Sequence, residues 1–133
     1  MIIKNKIKDL KYMFDSCKNL KNIDDLRYLN VKYFTDFSFM FNKCSSLKDI
    51  KPLENWNVSN GTNFSYMFGD CEALKDIKPL ENWNVSNGTC FRSMFVGCKS
   101  LSNFKPLEKL NLEKDKINEM FSVIMKLKIL KSD

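Results

Sequence analysis

The chain has 133 residues, 44% of them apolar and 29% charged, with a formal net charge of +6 and no histidine. That balance fits one globular domain and excludes disordered, collagen-like and linker-like chains. No apolar run exceeds four residues, which excludes a bilayer-spanning segment. Without histidine there is no imidazole base, no Ser-His or Cys-His nucleophile and no imidazole metal ligand.

The chain opens on Met1-Ile-Ile-Lys-Asn-Lys, charged and not followed by an apolar stretch, so no secretory signal is read. A cytoplasmic location is expected for the chain as it stands, and a cell-surface one if it is a fragment of a longer protein. The charge excess is +4 over residues 1–33, zero over 34–104 and +2 over 105–133. Only two of the 22 basic residues are arginine. A neutral body poor in arginine argues against a nucleic-acid binder, which concentrates its excess on one face.

From Met13 onward the chain repeats itself. Met-Phe recurs at Met13-Phe14, Met40-Phe41, Met67-Phe68, Met94-Phe95 and Met120-Phe121, at steps of 27 residues and a last step of 26. In register with it run Cys17, Cys44, Cys71 and Cys98; Leu20, Leu47, Leu74 and Leu101; Ile23, Ile50, Ile77 and Phe104. Further columns are Leu29, Trp56, Trp83 and Leu110, and Asn30, Asn57, Asn84 and Asn111. Residues 47–62 and 74–89 are identical, the mark of a tandem duplication. A period in the twenties means stacked units that share one core, because each is too small to bury its own apolar face.

Within each unit, Phe64, Met67, Phe68 and Cys71 are spaced i, i+3, i+4, i+7, which predicts a short helix capped by Thr62 or Ser59. Leu47 to Leu53 has no helical stripe and contains Pro52, and is predicted as a short extended strand. Trp56 to Thr62 is turn chemistry, sharpest at Asn60-Gly61. Strands from successive units would pair in parallel, with the helices on the other side. After Asn111 the pattern changes. Glu113 onward predicts a longer amphipathic helix with Ile117, Met120, Phe121, Ile124 and Leu127 toward the core, capping the stack; a membrane-surface helix is the alternative.

The Met-Phe-x-x-Cys-x-x-Leu-x-x-Ile core with Trp-Asn-Val-Ser-Asn resembles BspA-like leucine-rich repeats, in the variant of mycoplasma-type surface proteins. The match runs from about Ile7 to Leu127. The resemblance implies a leucine-rich-repeat-like α/β solenoid of four to five 27-residue coils, with short parallel strands on one face, short helices on the other and a C-terminal helical cap. The expected single domain is 1–133, with coils at about 7–33, 34–60, 61–87 and 88–113 and the cap at 114–133. It also implies a surface-adhesion or protein-interaction role. Gly61 and Gly88 stand where the variant usually has valine, which is expected to loosen that turn.

The cysteine column lies along a line, one thiol per coil, whereas a zinc site needs four sulfurs around one point; buried apolar cysteines are expected, and no metal. Cys90 is off the column and is expected to be the exposed thiol. The asparagine column is expected to bond backbone within its own and the next turn, and the five sequons on residues 57–89 to follow from the repeat itself.

If Leu47 and Ile50 point inward, their neighbours point outward. Two exposed columns result, Asn22, Asp49, Asp76, Asn103 and Asp24, Lys51, Lys78, Lys105. They are the candidate binding face for a protein partner of unknown identity. The expected function is a non-enzymatic protein-interaction scaffold. The alternatives are a fragment or relative of a cell-surface adhesin, and a lysine-driven binder of nucleic acid or acidic surfaces. No catalytic residue, cofactor or small-molecule substrate is expected, and the chain is expected to be a monomer or to associate weakly end to end.

Overall fold

The computed structural model describes residues 9–121. Its core is a single cluster built from the columns of the repeat. Phe37, Met40, Phe41, Cys44, Leu47, Ile50 and Leu53 are buried, and so are their equivalents Phe64, Met67, Phe68, Cys71, Leu74, Ile77 and Leu80. Phenylalanine rings lie face to face from unit to unit. Phe37, Phe64 and Phe91 stack at centroid distances of 5.4 Å, and Phe41, Phe68 and Phe95 at 5.5 and 5.7 Å. The first unit holds its columns less fully: Phe14, Leu20, Leu26 and Leu29 are only partly buried and Met13 is exposed.

The backbone departs from expectation. The predicted α/β solenoid of parallel strands and helices is overturned, because the described residues contain no named strand. They contain isolated parallel bridges joining Asp36 to Asn63 and Asn63 to Cys90. Four short 3-10 segments follow, Asp24–Tyr28, Lys51–Leu53, Lys78–Leu80 and Lys105–Leu110, and one six-residue α-helix, α1, at Lys114–Glu119. The leucine-rich-repeat architecture implied by the resemblance therefore does not hold.

The Met-Phe segment is a run of overlapping turns, not a helix. Met40, Asn42 and Cys44 donate their N–H groups to the carbonyls of Phe37, Phe39 and Phe41. The N–H groups of the alternate residues point to the next unit. Phe37, Phe39, Phe41 and Lys43 donate to Asn63, Ser65, Met67 and Gly69 of the next unit, at 2.8, 2.9, 2.9 and 2.7 Å. An α-helix would spend every N–H on itself. This path spends alternate ones on the neighbouring unit.

The cost is conformational. Phe39 and Lys43 take positive φ, 58° and 63°, as do their equivalents Tyr12, Ser16, Tyr66, Asp70 and Ser93. Side chains in that region cost ~1–2 kcal/mol per residue, so the inter-unit bonds must offset the strain. Local chemistry favours the turn. The Asp36 Oδ1 accepts from the Ser38 N–H at 2.9 Å, and Asn63 Oδ1 from Ser65 at 3.0 Å, bonds that compete with a helix. With no helix, Thr62 and Ser59 cap nothing. Thr62 instead donates its hydroxyl to the Thr35 carbonyl at 3.3 Å.

The predicted strand at Leu47–Leu53 is also absent. The Asp49 side chain accepts the Lys51 N–H at 2.8 Å, and Ile50 has ψ of 18°, which is not extended. The chain turns there into the 3-10 segment, with Pro52 in its first turn, where its missing N–H costs nothing. Gly61 does not loosen its turn. A side chain there would collide with the Phe64 ring, and at Gly88 with Phe91, so glycine admits the ring.

At the other end, α1 closes the stack. Ser93 and Phe95 donate to the carbonyls of Glu119 and Met120, and Phe121 stacks on Phe95 at 5.7 Å. Met120 and Phe121 are buried and Ile117 is partly buried against the core. Of the predicted longer helix, Ile124 and Leu127 lie outside the described residues.

Candidate functional site

The eight residues of the two candidate columns are all exposed. They sit on turns rather than on a strand, so their outward direction has a different cause. Each member of the first column folds its carboxylate or carboxamide back onto the chain. Asn22, Asp49, Asp76 and Asn103 accept, through Oδ1, the N–H of Asp24, Lys51, Lys78 and Lys105, at 2.8, 2.8, 2.9 and 3.1 Å. These Asx turns recur once per unit and fix the backbone under the second column.

Asp49, Lys51, Asp76 and Lys78 come together, with Glu54 and Glu81, around one open groove of about 460 Å³ between two units. Asn22 and Asp24 border a separate recess in the first unit, beside Phe14, Leu20 and Leu26. Asp24 is engaged by Arg27, with the guanidinium 3.4 Å from its carboxylate. Asn103 and Lys105 occupy the same turn of the fourth unit. The groove is lined by both signs of charge and is open to solvent.

Ion pairs link successive units at the surface. Lys99 Nζ lies 2.9 Å from Glu72, and Lys109 Nζ 3.5 Å from Glu81. The Glu72 carboxylate raises the Lys99 pKa.

The thiols separate into two groups. Cys44, Cys71 and Cys98 are buried, and each donates its S–H to the carbonyl of Phe14, Phe41 or Phe68 in the preceding unit, at 3.1 Å. Burial pushes the Cys44 thiol up to about 11, Cys98 to about 12, and Cys71 upward as well. They are poor nucleophiles at neutral pH. The expectation for Cys90 is corrected: it is half-buried, and the exposed thiol is Cys17.

The asparagine column bonds within its own turn. Asn30, Asn57 and Asn84 accept the N–H of Lys32, Ser59 and Ser86. The bond to the neighbouring unit comes from other asparagines, Asn60 and Asn87, which donate to the carbonyls of Lys32 and Ser59 at 2.7 and 2.6 Å.

One surface feature lay outside the sequence expectations. Tyr12, Phe39 and Tyr66 form a second, outer ladder of stacked rings, at 4.8 and 4.6 Å. Their 27-residue spacing was its signal. The backbone turns outward at these positions because all three take positive φ.

Among the described residues, no helix is long and apolar enough to cross a membrane. No curated protein and no solved structure matches the chain. The sequence model of one family, described as "Mycoplasma protein of unknown function, DUF285", matches residues 6–131. The mycoplasma-type part of the resemblance agrees with that match, which does not extend to the BspA-like leucine-rich repeats. Over nearly all of its length, then, the chain belongs to the DUF285 family.

Proposed function

We propose that this protein is a non-catalytic protein-interaction module that binds its partner through the exposed columns Asn22, Asp49, Asp76, Asn103 and Asp24, Lys51, Lys78, Lys105. The observation that carries the reading is the Asx turn repeated once per unit. It holds charged side chains at regular intervals on a hydrogen-bonded turn, and such preorganisation lowers the ordering cost of binding. The groove between the second and third units adds alternating charge, which favours specificity and encounter rate. The chain has no histidine to serve as a base, and burial raises the Cys44, Cys71 and Cys98 thiols, which supports binding over catalysis.

The test is retention of protein from a lysate of the source organism by the native chain and by the variant Lys51→Glu, Lys78→Glu, Lys105→Glu, at low and moderate salt. A discrete protein held by the native chain at both salts and lost by the variant supports the reading. Equal retention by both chains overturns the assigned face. Retention of nucleic acid alone, lost at moderate salt, overturns the protein-binding function.

A further inference from the structure

Asn60-Gly61 and Asn87-Gly88 join two properties that conflict. Glycine is required at 61 and 88 because the Phe64 and Phe91 rings occupy the space of a side chain. Asparagine at 60 and 87 supplies the carboxamide N–H that ties each unit to the one before it, through Lys32 and Ser59. Yet an asparagine followed by glycine is the sequence in which the next backbone nitrogen attacks the side-chain amide with least hindrance. Both asparagines are exposed to water.

We propose that Asn60 and Asn87 are sites of spontaneous deamidation that are closed while the units are stacked and open when they part, so that the modification works as a one-way release of the stack. In the reaction the Gly61 nitrogen bonds to Cγ of Asn60. The Cγ–Nδ2 bond breaks, and ammonia leaves with the proton lost by the glycine nitrogen. Water then opens the resulting succinimide to aspartate or isoaspartate.

The folded chain restrains both reactants. The Gly61 N–H donates to the Val58 carbonyl at 2.8 Å, and Gly88 to Val85 at 2.9 Å, which holds the attacking nitrogen in its turn. The leaving amide is held by the preceding unit. Once the amide has become a carboxylate, it has no proton to give. It then faces the carbonyl of Lys32 or Ser59, acceptor against acceptor, and the contact cannot re-form.

The duplication supplies its own control. The two dipeptides lie in the identical stretches 47–62 and 74–89, so their intrinsic rates match. Their partners differ. Asn60 is tied to the first unit, whose Phe14, Leu20, Leu26 and Leu29 are only partly buried, and Asn87 to the second, whose equivalents Phe41, Leu47, Leu53 and Trp56 are all buried. The first unit opens more readily, as less-packed ends do.

The experiment follows amide-to-acid conversion at each site by peptide mapping and mass spectrometry, in buffer and in concentrated urea at the same neutral pH. Equal rates are expected in urea. In buffer both sites are expected to slow by about tenfold or more, with Asn60 faster than Asn87. Rates in buffer equal to those in urea overturn the proposal, and so does Asn87 converting as fast as Asn60. A second pair of variants reads the release without waiting for the chemistry. Asn87→Asp should lower the urea midpoint. Asn84→Asp should not, because Asn84 acts as an acceptor through Oδ1, a role that Asp49 and Asp76 already fill as carboxylates. Equal midpoints for these two variants also overturn the proposal.

Discussion

The indole N–H of Trp83 donates to the backbone carbonyl of Leu53, 2.9 Å away in the preceding unit. Trp56 repeats the bond to Leu26 at 2.8 Å. Both indoles are buried, so each is a polar staple inside an apolar core, and each also packs against a phenylalanine, Phe64 for Trp83 and Phe37 for Trp56. Replacing Trp83 by Phe keeps an aromatic ring but removes the indole donor, leaving the Leu53 carbonyl with the Trp56 N–H alone. The expected cost is about 0.5–1.5 kcal/mol, read from urea unfolding. A change within error would mean that the bond contributes nothing net.

Gly97 is the only glycine in a column of left-handed residues, with φ of 72° where Ser16, Lys43 and Asp70 have 64°, 63° and 54°. A side chain at 97 would also meet the Asp70 carboxylate. Gly97→Ala is therefore expected to destabilise by more than about 1 kcal/mol. Lys43→Gly relieves strain in the same column and is expected to be neutral or to stabilise by up to about 1 kcal/mol. Paired thermal melts check the opposite signs. Both variants lowering Tm equally would show that the left-handed turn is not what distinguishes these positions.

The buried thiols give a pH dependence with a definite sign. Burial raises the Cys44 pKa from 9.0 to about 11, so the folded state disfavours the thiolate. The contribution is complete below pH 9.0 and is lost as pH rises toward about 11. Cys71 and Cys98 are raised in the same direction and for the same first reason. Urea midpoints should fall across this alkaline window, and the fall should be shallower in Cys71→Ala. Alkylation near neutral pH should label Cys17 well before these three. Parallel midpoint curves for Cys71→Ala and the native chain would show that other groups set the alkaline limit.

What the sequence determined by itself is which residues are inside. The 27-residue columns of Phe, Met, Cys, Leu, Ile and Trp could be read directly, and from the second unit on they form the core, while Met13 and Cys17 of the first unit are exposed. The two candidate columns are exposed as expected, but turns rather than the alternation of a strand put them there. What it did not determine is the path of the backbone. The spacing of Phe64, Met67, Phe68 and Cys71 suits one face of a helix, but a run of turns with left-handed residues buries the same four side chains. The choice depends on where alternate N–H groups go, and their acceptors lie 26 residues further along the chain, at Cys90, Arg92, Met94 and Val96. Apolar periodicity reports burial and carries no record of such distant acceptors. Likewise Asp49 looks like an outward strand residue until its side chain is seen to hold the Lys51 N–H. Only the stacked structure sets a bond between units against a bond within one, because neither the strain at Tyr66 and Asp70 nor its compensation exists in a single repeat.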